Sequence, residues 1–226
     1  MKFIKKILKI IRDLPKSIYV NFKCLPAKEA IYLPIRVRWN VKIGEIHKNS
    51  IKIDSEKLTF SMIELGYRGA KFISDDKMYL SIKENSQIIF HGKTILAEGF
   101  NIVVENGVIS FGNNFYSNRN LLIQCNKSIK FGNDCLLGWN VSIRDTDGHD
   151  IINKLDNTYN DKEKEIIIEN HVWVAADVTI LKGSYINSNN IIACNTLIPG
   201  KCFKDINCVI AGNAGKVVKQ NVDWKE

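Results

Sequence analysis

The sequence predicts a mainly β chain, wound as a parallel coil of short strands and tight corners behind a short helical N-terminal segment. From Ile168 onward an aliphatic residue recurs every six positions: Ile168, Val174, Ile180, Ile186, Ile192 and Ile198. The stretches between them, ENHVW, AADVT, LKGSY, NSNNI and ACNTL, are rich in Asn, Gly, Ala and Ser. Neither the 3.6-residue period of a helix nor simple strand alternation produces a repeat of six with turn-formers in fixed places.

The chain has 226 residues, 45% hydrophobic and 25% charged, which fits one large domain or a domain with a small extension. This mixture excludes a collagen, a coiled coil, a disordered chain and a multi-span membrane protein. The net charge of +8 draws much of its excess from the start of the chain. Beyond that start the charges nearly balance and no nucleic-acid motif occurs, so nucleic acid is not an expected partner. Six cysteines contain no CxxC spacing, and the chain is long enough to build its own core. They read as reduced, small core residues rather than a disulfide set.

Taken in order, residues 1–30 form a basic amphipathic segment. In KFIKKILKIIR, Phe3, Ile4, Ile7, Leu8 and Ile11 share one helical face, while Lys2, Lys5, Lys6, Lys9 and Arg12 fill the rest. Asp13-Leu14-Pro15 is expected to end this helix. Lysines break every apolar run, which argues against a secretory signal and for a cytoplasmic protein. Two readings of the helix remain open: contact with an anionic membrane surface, or packing on its own domain or a partner subunit. Residues 31–80 are an extension or cap with β character, which either begins the coil or covers its open edge.

Residues 81–220 carry the repeat. Upstream of Ile168 the same register runs through Phe131, Leu137 and Ile143, then Phe111, Ser117 and Ile123, then Phe90, Leu96 and Ile102, with extra residues at one corner. Three hexads per turn make a triangular prism in which each coil touches only its neighbours. One polar segment, 144–167, cannot line a prism and must leave it as a loop.

These hexads resemble the hexapeptide-repeat acyltransferases of the sugar and polysaccharide O-acetyltransferase type, whose fold is a left-handed parallel β-helix. The resemblance covers about residues 80 to 220. It implies transfer of an acetyl group from acetyl-CoA to a sugar hydroxyl, no metal, and a homotrimer. Position after a hexad like GWNVSI makes His149 the general base, for which a near-neutral pKa suits histidine. Asp145 and Asp147 flank it, and each is either a partner that holds the imidazole tautomer or a loop acid in an Asx turn. His171 is the rival base. Asn120, Trp139 and Trp173 are candidates for the acceptor side; for Asn120 the alternative is a plain corner residue with positive φ. The resemblance assigns Ala175, Ala176, Ala193, Cys194, Lys201, Lys216 and Lys219 to acetyl-CoA. The family's usual Gly is replaced by Ala175, and its Thr-Lys pair by Pro199-Gly200-Lys201.

Other classes fit less of the sequence. N-acetylation of an amino-sugar nucleotide would use the same parts. A zinc hydratase needs three converging histidines, and His149 and His171 have only His91, several coils away, as a third. A non-catalytic β-helix would make no use of His149.

Overall fold

The computed structural model describes residues 2–70 and 77–225, with the backbone alone for residues 2–9. Its strands stack into three parallel sheets, the faces of a prism of seven coils. Coil 1 is Ile35–Val37, Val41–Ile43 and Ile51–Ile53, on faces 1, 2 and 3 respectively. Coil 2 is Ile63–Leu65, Met78–Ile82 and Gln87–Phe90; coil 3 is Thr94–Leu96, Asn101–Val104 and Val108–Phe111. Coil 4 is Phe115–Ser117, Leu122–Cys125 and Ser128–Phe131; coil 5 is Leu136–Leu137, Ser142–Arg144 and Ile166–Ile168. Coil 6 is Trp173–Val174, Thr179–Leu181 and Tyr185–Ile186, and coil 7 is Ile191–Ile192, Leu197–Ile198 and Cys202–Phe203.

The hexads set this register. Ile168 pairs with Ile186, Val174 with Ile192 and Ile180 with Ile198, so one coil is three hexads. Upstream, Phe90, Phe111, Phe131 and Ile168 fall in one column, and Ile102, Ile123, Ile143 and Ile180 in another. Every one of these side chains is buried. Phe90, Phe111 and Phe131 stack with centroids 5.4 and 5.3 Å apart, close to the spacing of about 4.8 Å between neighbouring strands. The corners use the left-handed region: at the edge between faces 1 and 2, Asn120, Asn140, Asp177 and Asn195 have φ of 62, 58, 59 and 57°.

The prism starts earlier than the hexads show. Strands from Ile35 onward belong to it, so residues 31–80 supply coil 1 and most of the first two faces of coil 2, and the boundary drawn at 81 falls inside Met78–Ile82. The corners there are unequal, and those between Ile43 and Ile51, Ile53 and Ile63, and Leu65 and Met78 are long, which hides the six-residue period.

The helix also differs from expectation. α1 runs over Lys2–Cys24, through Pro15, instead of ending before it. A proline inside a helix costs about 3 kcal/mol. The second half of α1 offsets this by packing on coil 1, where Val20 and Cys24 are buried. Asn21 accepts a hydrogen bond from the Ile35 N–H at 3.1 Å and donates to the Ile35 carbonyl at 2.6 Å. The Ser17 hydroxyl accepts from the Val37 N–H at 3.0 Å, and Asp13 from the Trp39 N–H at 3.2 Å. Three polar residues four apart on one helix face thus occupy the open edge of the first strand, where a further strand would otherwise add. At the other end, Lys216–Gln220 closes the stack by pairing antiparallel with Cys208–Ala211.

Candidate active site

The loop between Arg144 and Ile166 leaves coil 5 at the edge between faces 2 and 3. It is a hairpin-like arm: Thr146 bridges Glu163 and Ile152 bridges Tyr159, both antiparallel. The Asp147 N–H donates to the Lys162 carbonyl, and the Asn153 N–H to the Thr158 carbonyl. Among the described residues little covers its apolar side chains; Leu155 is 96% exposed, and Ile151, Ile152 and Tyr159 are exposed beside it.

His149 stands on this arm, exposed to solvent. Before it, Gly148 turns the chain with φ of 78°, and its N–H donates to the Thr146 hydroxyl at 3.1 Å. Neither flanking acid is directed at the imidazole. Asp145 is fully buried, and its carboxylate accepts the N–H groups of Asn126, Lys127 and Ser128 at 2.7, 2.8 and 2.8 Å. It closes the corner of coil 4, and the tautomer role set out for it does not fit this geometry. Asp147 pairs with Lys182 at 2.6 Å. The Lys182 ammonium also donates to the Asp161 carbonyl, so one lysine from coil 6 ties both strands of the arm to the prism. Sequence reasoning missed Lys182, because only the fold brings residues 147, 161 and 182 together.

The remaining candidates divide between two edges. At the edge between faces 1 and 2, successive coils place Asn118-Arg119-Asn120, Gly138-Trp139-Asn140, Ala175-Ala176-Asp177 and Ala193-Cys194-Asn195 one above another. Asn120, Trp139, Ala175, Ala176, Ala193 and Cys194 therefore lie in one ladder. Small residues are needed there: a Cβ on Gly138 would lie 2.8 Å from the backbone of Ala175 and Ala176. The Asn120 side chain donates to Asn140 at 3.0 Å, and Asn140 to Asp177 at 2.9 Å, the corner role set out as its alternative. The N–H groups of Ala175 and Ala193 are committed to the carbonyls of Ile192 and Ile210. Lys201 donates to the Gly215 carbonyl at 3.1 Å, and Lys216 and Lys219 stand exposed on the last strand.

His171 and Trp173 belong to a different surface. His171 sits at the edge between faces 3 and 1, φ 55°, stacked on Trp224 with centroids 4.3 Å apart. Its Nε2 lies 3.3 Å from an Asp223 carboxylate oxygen, and the Trp224 indole N–H donates to its carbonyl. His171 thus fastens the C-terminal tail, while Trp173 leans toward Trp224 at 6.2 Å. Among the described residues no three metal-ligating side chains converge. All six cysteines are free. Burial pushes the Cys125 thiol up, with Asp145 beside it adding to the shift, and burial raises Cys135 to about 12.

No protein-family model matches the chain. Over 143 residues it is 30% identical to the polysialic acid O-acetyltransferase of Escherichia coli O1:K1 / APEC, covering 62% of this chain and 39% of that protein. It is 33% identical over 143 residues to the polysialic acid O-acetyltransferase of Neisseria meningitidis, covering 61% and 57%. The chain therefore spans between two fifths and three fifths of the length of these relatives. Among solved structures, the polySia-specific acetyltransferase NeuO superposes with a TM-score of 0.60 at 18% identity, over 85% of this chain and 79% of that one. The fold is a left-handed parallel β-helix, with the coil of three hexads read from the sequence and the handedness that the resemblance implied.

Proposed function

We propose that the protein transfers an acetyl group from acetyl-CoA to a sugar hydroxyl, on a surface polysaccharide or its precursor, with His149 as general base. The observation that carries this reading is the placement of His149: a solvent-facing imidazole on a braced arm, with its flanking acids engaged elsewhere. The relatives named as polysialic acid O-acetyltransferases support the acceptor class. In this mechanism neutral His149 takes the hydroxyl proton as the oxygen attacks the thioester carbonyl. The C–S bond breaks, coenzyme A leaves as the thiolate and takes that proton from the imidazolium to become the free thiol, and no acyl-enzyme forms. A cysteine nucleophile is disfavoured, since none of the six cysteines lies on the arm with His149, and Cys125, the one packed against Asp145, is buried with a raised pKa.

The small-residue ladder at Gly138, Ala175 and Ala193 would let the thioester arm run close to the backbone, with Ala176 and Cys194 beside it. Lys216, Lys219 and Lys201 would meet the phosphates of the coenzyme as point charges. That ladder and the His149 arm lie on opposite edges of face 2. A homotrimer solves this separation, because a three-fold arrangement sets the arm of one chain against the ladder of the next. The bare apolar arm, with Leu155 at its tip, supports such a contact. The membrane-facing role falls to the basic segment, residues 2–12, whose last residue, Arg12, also pairs with Asp13 and lies over the Trp39 ring of coil 1. No described helix is long and apolar enough to cross a membrane.

The test is thiol release from acetyl-CoA against a panel of sugars. His149→Ala should lower kcat by at least about 10² with the trimer and its Tm unchanged, and His171→Ala should act mainly on stability. The reverse pattern, or no release with any sugar, would overturn the assignment.

A further inference from the structure

Because α1 continues through Pro15, the apolar stripe of the basic segment continues with it. At 3.6 residues per turn, Ile11, Ile18 and Phe22 fall in line along the helix, with Tyr19 at their flank. All four are exposed. They lie on the side of α1 away from Asp13, Ser17, Val20 and Cys24, which are buried. A helix with one buried face ordinarily turns polar side chains to solvent. Here the side facing away from the prism is aliphatic and aromatic. Neighbouring segments widen this surface. Phe60, more than half exposed, borders a narrow crevice with Ile10, Leu14 and Leu33, and Ile31 and Tyr32, which precede Leu33 in the chain, are also more than half exposed.

The charge around the stripe has one sign. Residues 1–28 hold seven lysines and Arg12 against Asp13 alone, a net +7 of the chain's +8. Asp13 is turned inward, buried beside Arg12 and Arg36 at 3.3 and 3.5 Å, so it offers no negative charge to solvent. Lys16 is committed to the Trp39 and Val41 carbonyls, each at 2.6 Å, and braces the helix. Arg12, Lys23 and Lys28 remain exposed. Glu29, the next acid in the chain, directly follows Lys28.

We infer that this outer face of α1, with Tyr32 and Phe60 at its margin, docks on the surface of an anionic lipid bilayer, and that the prism stands upright on it. Aliphatic and aromatic side chains suit the boundary between headgroups and acyl chains, and the surplus of cations suits the lipid phosphates. A second copy of this chain would bring the same positive charge to the contact and be repelled. The orientation follows from the capping bonds. Asp13, Ser17 and Asn21 meet Trp39, Val37 and Ile35 in turn, so α1 runs antiparallel beside the first strand and across the prism axis. Its outer face therefore looks along that axis, away from coil 1. The His149 arm, on coil 5, stands about 19 Å farther along at the strand spacing. A three-fold rotation about an axis along the prisms brings all three caps to one side, which multiplies a weak single contact. The inference rests on the membrane-facing reading of residues 2–12 and adds the stripe from Ile11 to Phe22, both parts being required for the contact.

Co-sedimentation of the full chain with vesicles of mixed phosphatidylcholine and phosphatidylglycerol, and of phosphatidylcholine alone, tests the contact. Binding to the mixed vesicles should be at least tenfold tighter, and weaker at high salt. The double variant Ile18→Gln, Phe22→Gln should bind them at least tenfold more weakly, with Tm and the mass from light scattering unchanged, because both side chains are exposed. Equal binding by this variant would confine the contact to residues 2–12 and overturn the inference, as would a full chain that binds neither vesicle. A change of mass in the variant would make the stripe a contact between copies and overturn it too. For the orientation, a fluorophore is placed on the exposed thiols of coil 7, Cys194 and Cys202. It should escape a lipid with a nitroxide headgroup that quenches a label at Phe60→Cys in a Cys194→Ser, Cys202→Ser background. Equal quenching at both ends would overturn the upright stance. Acetyl-CoA is absent throughout, so failure of the contact and failure of the acetyl-transfer reading are distinguishable.

Discussion

Coils 6 and 7 and coils 1 and 2 are built on the same three faces, yet they reach that architecture differently. In the C-terminal pair the inward positions from Val174 to Ile198 follow one another at six residues, with Phe203 after five, and the edges turn through single left-handed residues such as Asp177, Asn189 and Asn195. In the N-terminal pair the corners are unequal, and three of them are long; the one after Ile63–Leu65 reaches to Met78 in sequence and carries Tyr67 and Arg68. The two ends are also closed by different means. A backbone strand covers coil 7, whereas side chains of α1 cover coil 1. A stack of coils tolerates irregular corners where inward columns continue, because each coil is held by its neighbours. It does not tolerate an uncovered end.

The largest effect expected from this contrast is in the regular half. Ile186 is fully buried between Ile168 and Phe203 in its column, so Ile186→Ala should cost about 2–5 kcal/mol in urea unfolding. A loss under 1 kcal/mol would mean that the strict coils are loosely packed. Next comes the side-chain cap. Asn21→Ala strands both backbone groups of Ile35 in a buried place and should cost about 1–3 kcal/mol. If it costs nothing, α1 does not close the prism. The smallest stability effect should follow deletion of residues 1–9, which precede every capping residue of α1. Tm should stay nearly constant, while co-sedimentation with anionic vesicles, weakened by salt, should disappear. Loss of the trimer on this deletion would show the segment to be a packing element instead.

Much of the fold was legible because its rule is local. A buried aliphatic every sixth residue and a small or left-handed residue at each corner are visible wherever corners are tight, and the registers from Phe90 to Ile198 follow them. The 144–167 loop was legible for the opposite reason, since its polarity breaks the pattern. His149 was reached through its position after GWNVSI, and the structure sets it on an exposed arm. The roles of its neighbours were not legible. Asp145 and Asp147 look alike in sequence, but one turns inward to three backbone N–H groups and the other meets Lys182.

By itself the sequence determined the coil, its register over the regular turns and the loop that interrupts it, because each depends on residues within one hexad of one another. Only the tertiary structure decided that α1 continues past Pro15, that Asp13, Ser17 and Asn21 serve as an edge strand, and that Lys182 meets Asp147 and Asp161. Those outcomes join residues from 14 to 35 positions apart. The free energy that settles them is tertiary: buried backbone groups that must be paired, and carboxylates that cannot be buried without their guanidinium partners.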